Sequence, residues 1–97
     1  VESLSLRNVK TARQFEVLTD GVFISIGHVP NNALIADQVE LDDNGYVRVD
    51  WLMRTSVPGV FAAGEIADPH YRQIITSAAM GAAAALQADC YLNEQNP

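Results

Sequence analysis

The sequence has a single cysteine, Cys90, and that scarcity removes whole classes of chemistry. One thiol cannot close an internal disulfide, form a two-cysteine redox centre or build a cysteine-based zinc site within one chain, and it fits a reducing, cytoplasmic setting. Basic residues are scarce too: 6 Lys and Arg stand against 12 Asp and Glu, a net charge of -6. Affinity for nucleic acid rests on Lys and Arg facing phosphates, so no nucleic-acid partner is expected, and an anionic partner surface is disfavoured for the same reason. No apolar segment approaches the roughly 18 residues that span a bilayer, so no membrane partner is expected. The chain opens Val1-Glu2-Ser3 without methionine, basic n-region or signal core, as expected of a piece of a longer polypeptide or of a chain freed from a tag.

What is present is globular in composition, 48% apolar and 19% charged, which excludes a disordered tail. Residues 1–9 alternate, with Leu4 and Leu6 on one face against Ser3, Ser5 and Arg7 on the other. Residues 14–18 repeat the device with Phe15 and Val17, and after the Thr19-Asp20-Gly21 turn, residues 22–26 are apolar nearly throughout. Three short strands in a β-meander are predicted. Gly27-His28-Val29-Pro30-Asn31-Asn32 reads as a linker, followed by one helical turn over residues 32–37. Residues 39–41 and 46–50 flank Asp42-Asp43-Asn44-Gly45, whose Asn-Gly pair predicts a hairpin.

Residues 59–73, GVFAAGEIADPHYRQ, organise the rest. A buried strand over residues 60–63 ends in a glycine and a carboxylate, and a long helix follows, as where α/β proteins build a small-molecule site at a strand end. Asp68 reads as a helix cap with Pro69 at the first helical position, and the helix is predicted to run, after an irregular first turn, to about Asn93. Ala78, Gly81, Ala82 and Ala85 give it a face of small side chains open to close approach. Cys90, late in that helix, reads as a small buried hydrophobe. The expected class is α/β, α+β-like as a fragment: short β-meander, linker, β-hairpin, buried strand and long C-terminal helix.

Other chemistry is disfavoured. His28, Asp68 and His70 lack metal-ligand spacing, so no metal site is expected. Setting Gly45 at position six of a calcium loop puts Trp51 where the bidentate glutamate must stand. Ser56 lacks the Gly-x-Ser-x-Gly elbow of a nucleophile, and no catalytic residue is assigned.

At Ile26-Gly27-His28-Val29-Pro30-Asn31 and again at residues 59–73, the sequence resembles the bacterial-type, low-molecular-weight thioredoxin reductases, which are FAD-dependent pyridine nucleotide-disulfide oxidoreductases. The GVFAAG-acidic segment is common to two-dinucleotide flavoproteins, and Tyr71-Arg72-Gln73 narrows the match. The resemblance implies that residues 1–27 end an NADPH domain, residues 28–38 are a return linker and residues 39–97 are the C-terminal part of an FAD domain. It implies cofactor contacts at Gly64, Glu65, Arg72, Gln73 and Ile74, with Gly64 admitting the FAD chain closely and Glu65 accepting hydrogen bonds from ribityl hydroxyls. Arg72, Gln73 and Ile74 would stand at the helix start beside the flavin ring, with N–H groups and helix dipole directed at its pyrimidine edge.

Glu65 departs from the family's usual Asp by one methylene, and the chain has neither Gly-x-Gly-x-x-Gly nor Cys-x-x-Cys. The resemblance therefore implies an intact enzyme moving electrons from NADPH through FAD to a thioredoxin-like partner, with an isolated chain that is inactive and binds FAD weakly or not at all. Two alternatives stand beside it: an assembly module whose exposed face is covered by a second copy or by the missing N-terminal portion, as in a homodimer, and a flavoprotein reductase with another acceptor. In the plainer reading Glu65 satisfies loop N–H groups, Arg72 and Gln73 face water, and the alanine face is packing.

Overall fold

The computed structural model describes residues 1–95; residues 96 and 97, included in the expected FAD-domain segment, lie outside the described residues. Its elements are strand β1 (Ser3–Arg7), strand β2 (Gln14–Leu18), a 3-10 turn (Glu65–Ala67) and helix α1 (Ile74–Gln95), a mixed α/β arrangement. β1 and β2 pair antiparallel with Leu4 opposite Val17 and Leu6 opposite Phe15, so the predicted alternation sets the register. The Asn8 side chain closes the connection by accepting from the Lys10 and Thr11 amides at 2.9 and 3.0 Å.

The meander stops at two strands. Residues 22–26 pair with nothing among the described residues, and Phe23 and Ile26 are 102% and 91% exposed. A run apolar on both faces describes a strand inside a sheet, and these residues supply no second edge for it to join. The helical turn forms over residues 32–39, with the Ala36 and Val39 amides donating to the Asn32 and Ile35 carbonyls. Asn32 Nδ2 then donates to the Gly45 carbonyl at 2.7 Å. Gly45 takes φ 86°, and a Cβ there would lie 2.8 Å from that same Asn32 nitrogen.

The second hairpin forms as a single bridge between Leu41 and Val47, its turn shaped by Asp42 Oδ1, which accepts from the Asn44 and Tyr46 amides. Of its Asn-Gly pair only Gly45 has positive φ. The Val47 amide donates to the Ile66 carbonyl at 2.9 Å, docking the hairpin on the 3-10 turn. There lie the buried residues among those described: Tyr46, Val47, Ala67 and Asp68.

Residues 60–63, predicted as a buried strand, are a half-buried ladder edge: Arg54 bridges Phe61, and the Thr55 and Ala62 amides donate to Val60 and Met53. They have a neighbour on one side only, so the regular strand does not form. Helix α1 begins at Ile74, after an irregular stretch up to Gln73 as expected, and runs to Gln95, close to the expected end near Asn93. It is held near both ends, by Thr76 on Asp68 and by Tyr91, whose ring meets Phe61 edge-on at 6.3 Å and closes on Gly59. No α1 residue is buried, Gly81 faces open space, and Cys90 is exposed, not buried as expected, at the rim of a shallow concavity it shares with Arg54 and Phe61.

The chain measures 69 × 26 × 20 Å with a radius of gyration of 20.4 Å, against about 13 Å for a compact domain of this length. Its accessible surface is 7946 Å², where a compact chain of this mass exposes about 5,400 Å².

Candidate functional site

Gly64 stands at φ 84°, ψ -161°, a backbone region open essentially to glycine alone. A Cβ there would meet only Ser77 of α1, at the ordinary contact distance of 3.7 Å, so the requirement is conformational rather than one of crowding. Gly64 thus turns the chain against the first turn of α1.

Glu65 follows as the first residue of the 3-10 turn and is exposed. Its carboxylate accepts no hydrogen bond from any described loop amide, so the plainer reading of Glu65 fails; its neighbour is His28, with Nδ1 3.9 Å from Oε1. The two line a concavity of about 360 Å³ together with Val29, Pro30, Asn31 and Ile66. Linker residues therefore border the Glu65 carboxylate, a juxtaposition the sequence reading did not contain.

Arg72 lies before α1 at φ 52°, in the left-handed region, which prevents the helix from extending back to Pro69. Gln73 is the residue preceding the helix: its amide donates to Thr76 Oγ1 at 3.3 Å, and its carbonyl accepts from the Ser77 amide at 3.0 Å. Ile74 opens the helix and is 91% exposed. The amides of Ile74, Ile75 and Thr76 find no acceptor among the described residues, leaving donors and the positive end of the helix dipole open to an anionic or acceptor-rich ligand. The structure joins Gly64 to the start of α1 through Ser77, and sets Arg72, Gln73 and Ile74 in sequence at that helix end.

Asp68 was read as the helix cap, and the structure corrects this: it caps the turn before the helix. Oδ1 accepts from the His70 amide at 3.1 Å and the Tyr71 amide at 2.9 Å; Oδ2 accepts from the Arg72 amide at 2.9 Å and Thr76 Oγ1 at 3.0 Å. Thr76 Oγ1 also lies 2.9 Å from the Gln73 carbonyl, and its single proton serves one acceptor at a time. The Tyr71 amide above all, with Arg72, Thr76 and His70 adding to it, outweighs the desolvation that opposes them and holds the Asp68 carboxyl down to about 2. Pro69 after an aspartate was the available signal, since it removes one donor and leaves the next three amides to converge. Among the described residues no cluster of three metal-ligating side chains occurs, and no helix is long and apolar enough to cross a membrane.

Residues 2–82 match the protein family described as pyridine nucleotide-disulphide oxidoreductase. The mitochondrial thioredoxin reductase of Kluyveromyces lactis is 46% identical over 95 residues, covering 97% of this chain and 27% of that protein. The thioredoxin reductase of Coxiella burnetii is 43% identical, covering 99% and 32%. Among solved structures, the thioredoxin reductase of Streptococcus pyogenes MGAS5005 superposes with a TM-score of 0.78 at 34% identity, over 96% of this chain and 30% of that one. That of T. acidophilum gives 0.75 at 35%, over 98% and 31%. The chain thus spans about 30% of the length of these relatives. With most of its residues matched and the glycine turn, free carboxylate and open helix end in place, the chain belongs to the pyridine nucleotide-disulphide oxidoreductase family.

Proposed function

We propose that this chain is the C-terminal, flavin-facing part of a thioredoxin reductase-like enzyme that passes electrons from NADPH through FAD to a protein disulfide. Residues 1–27 then end the NADPH domain, residues 28–38 return the chain and residues 39–97 complete the FAD domain. The observation that carries the reading is the backbone of Gly64, φ 84° and ψ -161°, a glycine-only conformation whose missing Cβ would face Ser77 at the start of α1.

FAD, when bound, supplies the two-electron exchange between nicotinamide and disulfide. This chain's residues bind and orient it. Gly64 admits the cofactor where a side chain would strain the turn. Glu65 offers a carboxylate free of protein hydrogen bonds to ribityl hydroxyls, its extra methylene relative to the family's Asp extending its reach. Arg72, Gln73 and Ile74 stand at the helix end facing the flavin edge, where the unpaired amides are those of Ile74, Ile75 and Thr76 and the dipole contributes about 0.3–1 kcal/mol toward negative charge.

Two features support a larger assembly. The exposed surface exceeds the compact value by about 2,500 Å², and residues 22–26 present apolar side chains without cover. The rest of the polypeptide is the expected cover, with a homodimer and a thioredoxin-like acceptor in the cytoplasm. The competing reading, a non-catalytic module covered by a second copy, draws on the same exposed surface.

The test uses the protein as encoded in its gene. Purified protein should carry a visible flavin band and reduce a thioredoxin disulfide with NADPH, and Glu65→Ala should lower FAD retention. If the protein as encoded is instead a colourless dimer with no reductase activity, the assembly module replaces this reading. Flavin and NADPH oxidation without thioredoxin reduction would keep the flavoenzyme and change its acceptor.

A further inference from the structure

The segment between the 3-10 turn and α1 hangs on one side chain that makes no approach to the cofactor in the reading above. We infer that Asp68 is the positioning residue for the flavin-facing stretch, its carboxylate holding Arg72 in the left-handed conformation and so aiming Arg72, Gln73 and Ile74. This rests on the FAD reading and adds a residue outside its contact set.

The geometry is specific. Asp68 is 6% exposed, and four donors converge on its two oxygens, three of them consecutive amides and the fourth the Thr76 hydroxyl in the first turn of α1. The amide of Arg72 is among them, so the residue with φ 52° is fixed through its own N–H. Thr76 ties the same carboxylate to the helix, so turn and helix end are held in one mutual orientation. Only a group that accepts everywhere and donates nowhere fits: an asparagine keeps one oxygen for two amides but sets its NH2 against donors on the other side. The carboxyl remains ionised at neutral pH, which makes the scaffold constant across the working range.

The experiment compares wild type, Asp68→Asn, Thr76→Ala and Thr76→Ser in the protein as encoded, reading FAD retention, the visible flavin spectrum, the flavin midpoint potential and helix content by circular dichroism. Asp68→Asn should weaken FAD retention about tenfold or more, the loss expected from unmaking a charge-assisted hydrogen bond, and should shift spectrum and potential while helix content holds. Thr76→Ala should move spectrum and potential the same way by less, and Thr76→Ser should restore them, a rescue that a general loss of stability would not give. Wild-type values of retention, spectrum and potential in Asp68→Asn would overturn the inference and leave the FAD reading standing. If Asp68→Asn does not fold, the threonine pair decides, and spectra indifferent to Thr76→Ala overturn it. A wild-type protein without flavin overturns both.

Discussion

The first 29 residues and residues 39–95 follow opposite rules. The β1–β2 hairpin and the apolar run after it leave Phe23, Ile24, Ile26 and Val29 almost fully exposed, whereas the second region buries Tyr46, Val47, Ala67 and Asp68 where a bridge, a 3-10 turn and a helix start converge. The second region closes because turns shaped by Asp42, Asp50 and Asp68 bring its segments close enough for Val47 to bond Ile66 and Glu40 to bond Ser56. The first lacks partners for an apolar run that needs cover on both faces. Local polar geometry forms on its own, while a sheet interior waits for distant chain.

That contrast can be broken in order of expected effect. Gly64→Val should be the most damaging change, about 3 kcal/mol, because it forces a β-branched residue into a glycine-only backbone region; amide exchange should collapse over residues 39–95 and leave the β1–β2 hairpin untouched. Val47→Ala should cost about 2 kcal/mol by cavity formation at a site 3% exposed, again confined to the second region in thermal melts followed residue by residue. Gly59→Ala puts a Cβ at φ 81° and 3.0 Å from the Tyr91 ring, and should loosen the C-terminal half of α1 by about 1 kcal/mol.

Acidification should act more weakly and on the same region. The amides and hydroxyl around Asp68 hold its carboxyl down to about 2, below the ordinary carboxyl value of 3.8, so its contribution is complete above that ordinary value and drains away as pH falls from about 4 to about 2. Asp68→Asn should flatten that part of an exchange-versus-pH profile. The smallest effect is expected for Phe23→Ser, within about 0.5 kcal/mol in this chain because nothing packs on Phe23. In the protein as encoded the same change should cost several times more, and an equal cost in both would deny that residues 22–26 are covered there.

The sequence read well where structure is local. Alternation in residues 3–7 and 14–18 set the hairpin, the Asp42 to Gly45 turn appeared where the Asn-Gly pair put it, and the alanine run is helical. It misled where structure depends on what lies beyond a segment: the apolar runs at 22–26 and 60–63 carry the composition of sheet interior without its neighbours, and Cys90 looked buried on a helix that buries no residue. Asp68-Pro69 was read as a helix start because a cap and a turn clasp use the same residue types. Telling them apart needed the φ of Arg72, which no residue name announces. The Glu65–His28 approach joins residues far apart in the chain, and no periodicity could have disclosed it.

The meeting of Asn32 with Gly45 has a consequence of its own. The amide of Asn32 lodges in the volume where any other residue at 45 would begin its side chain, and it bonds the very carbonyl of the residue that makes room for it. One missing methyl therefore acts as the socket for the Asn32 side chain: filling it would strain the turn at φ 86° and push that side chain off the carbonyl through which the crossing segment is pinned to the second hairpin.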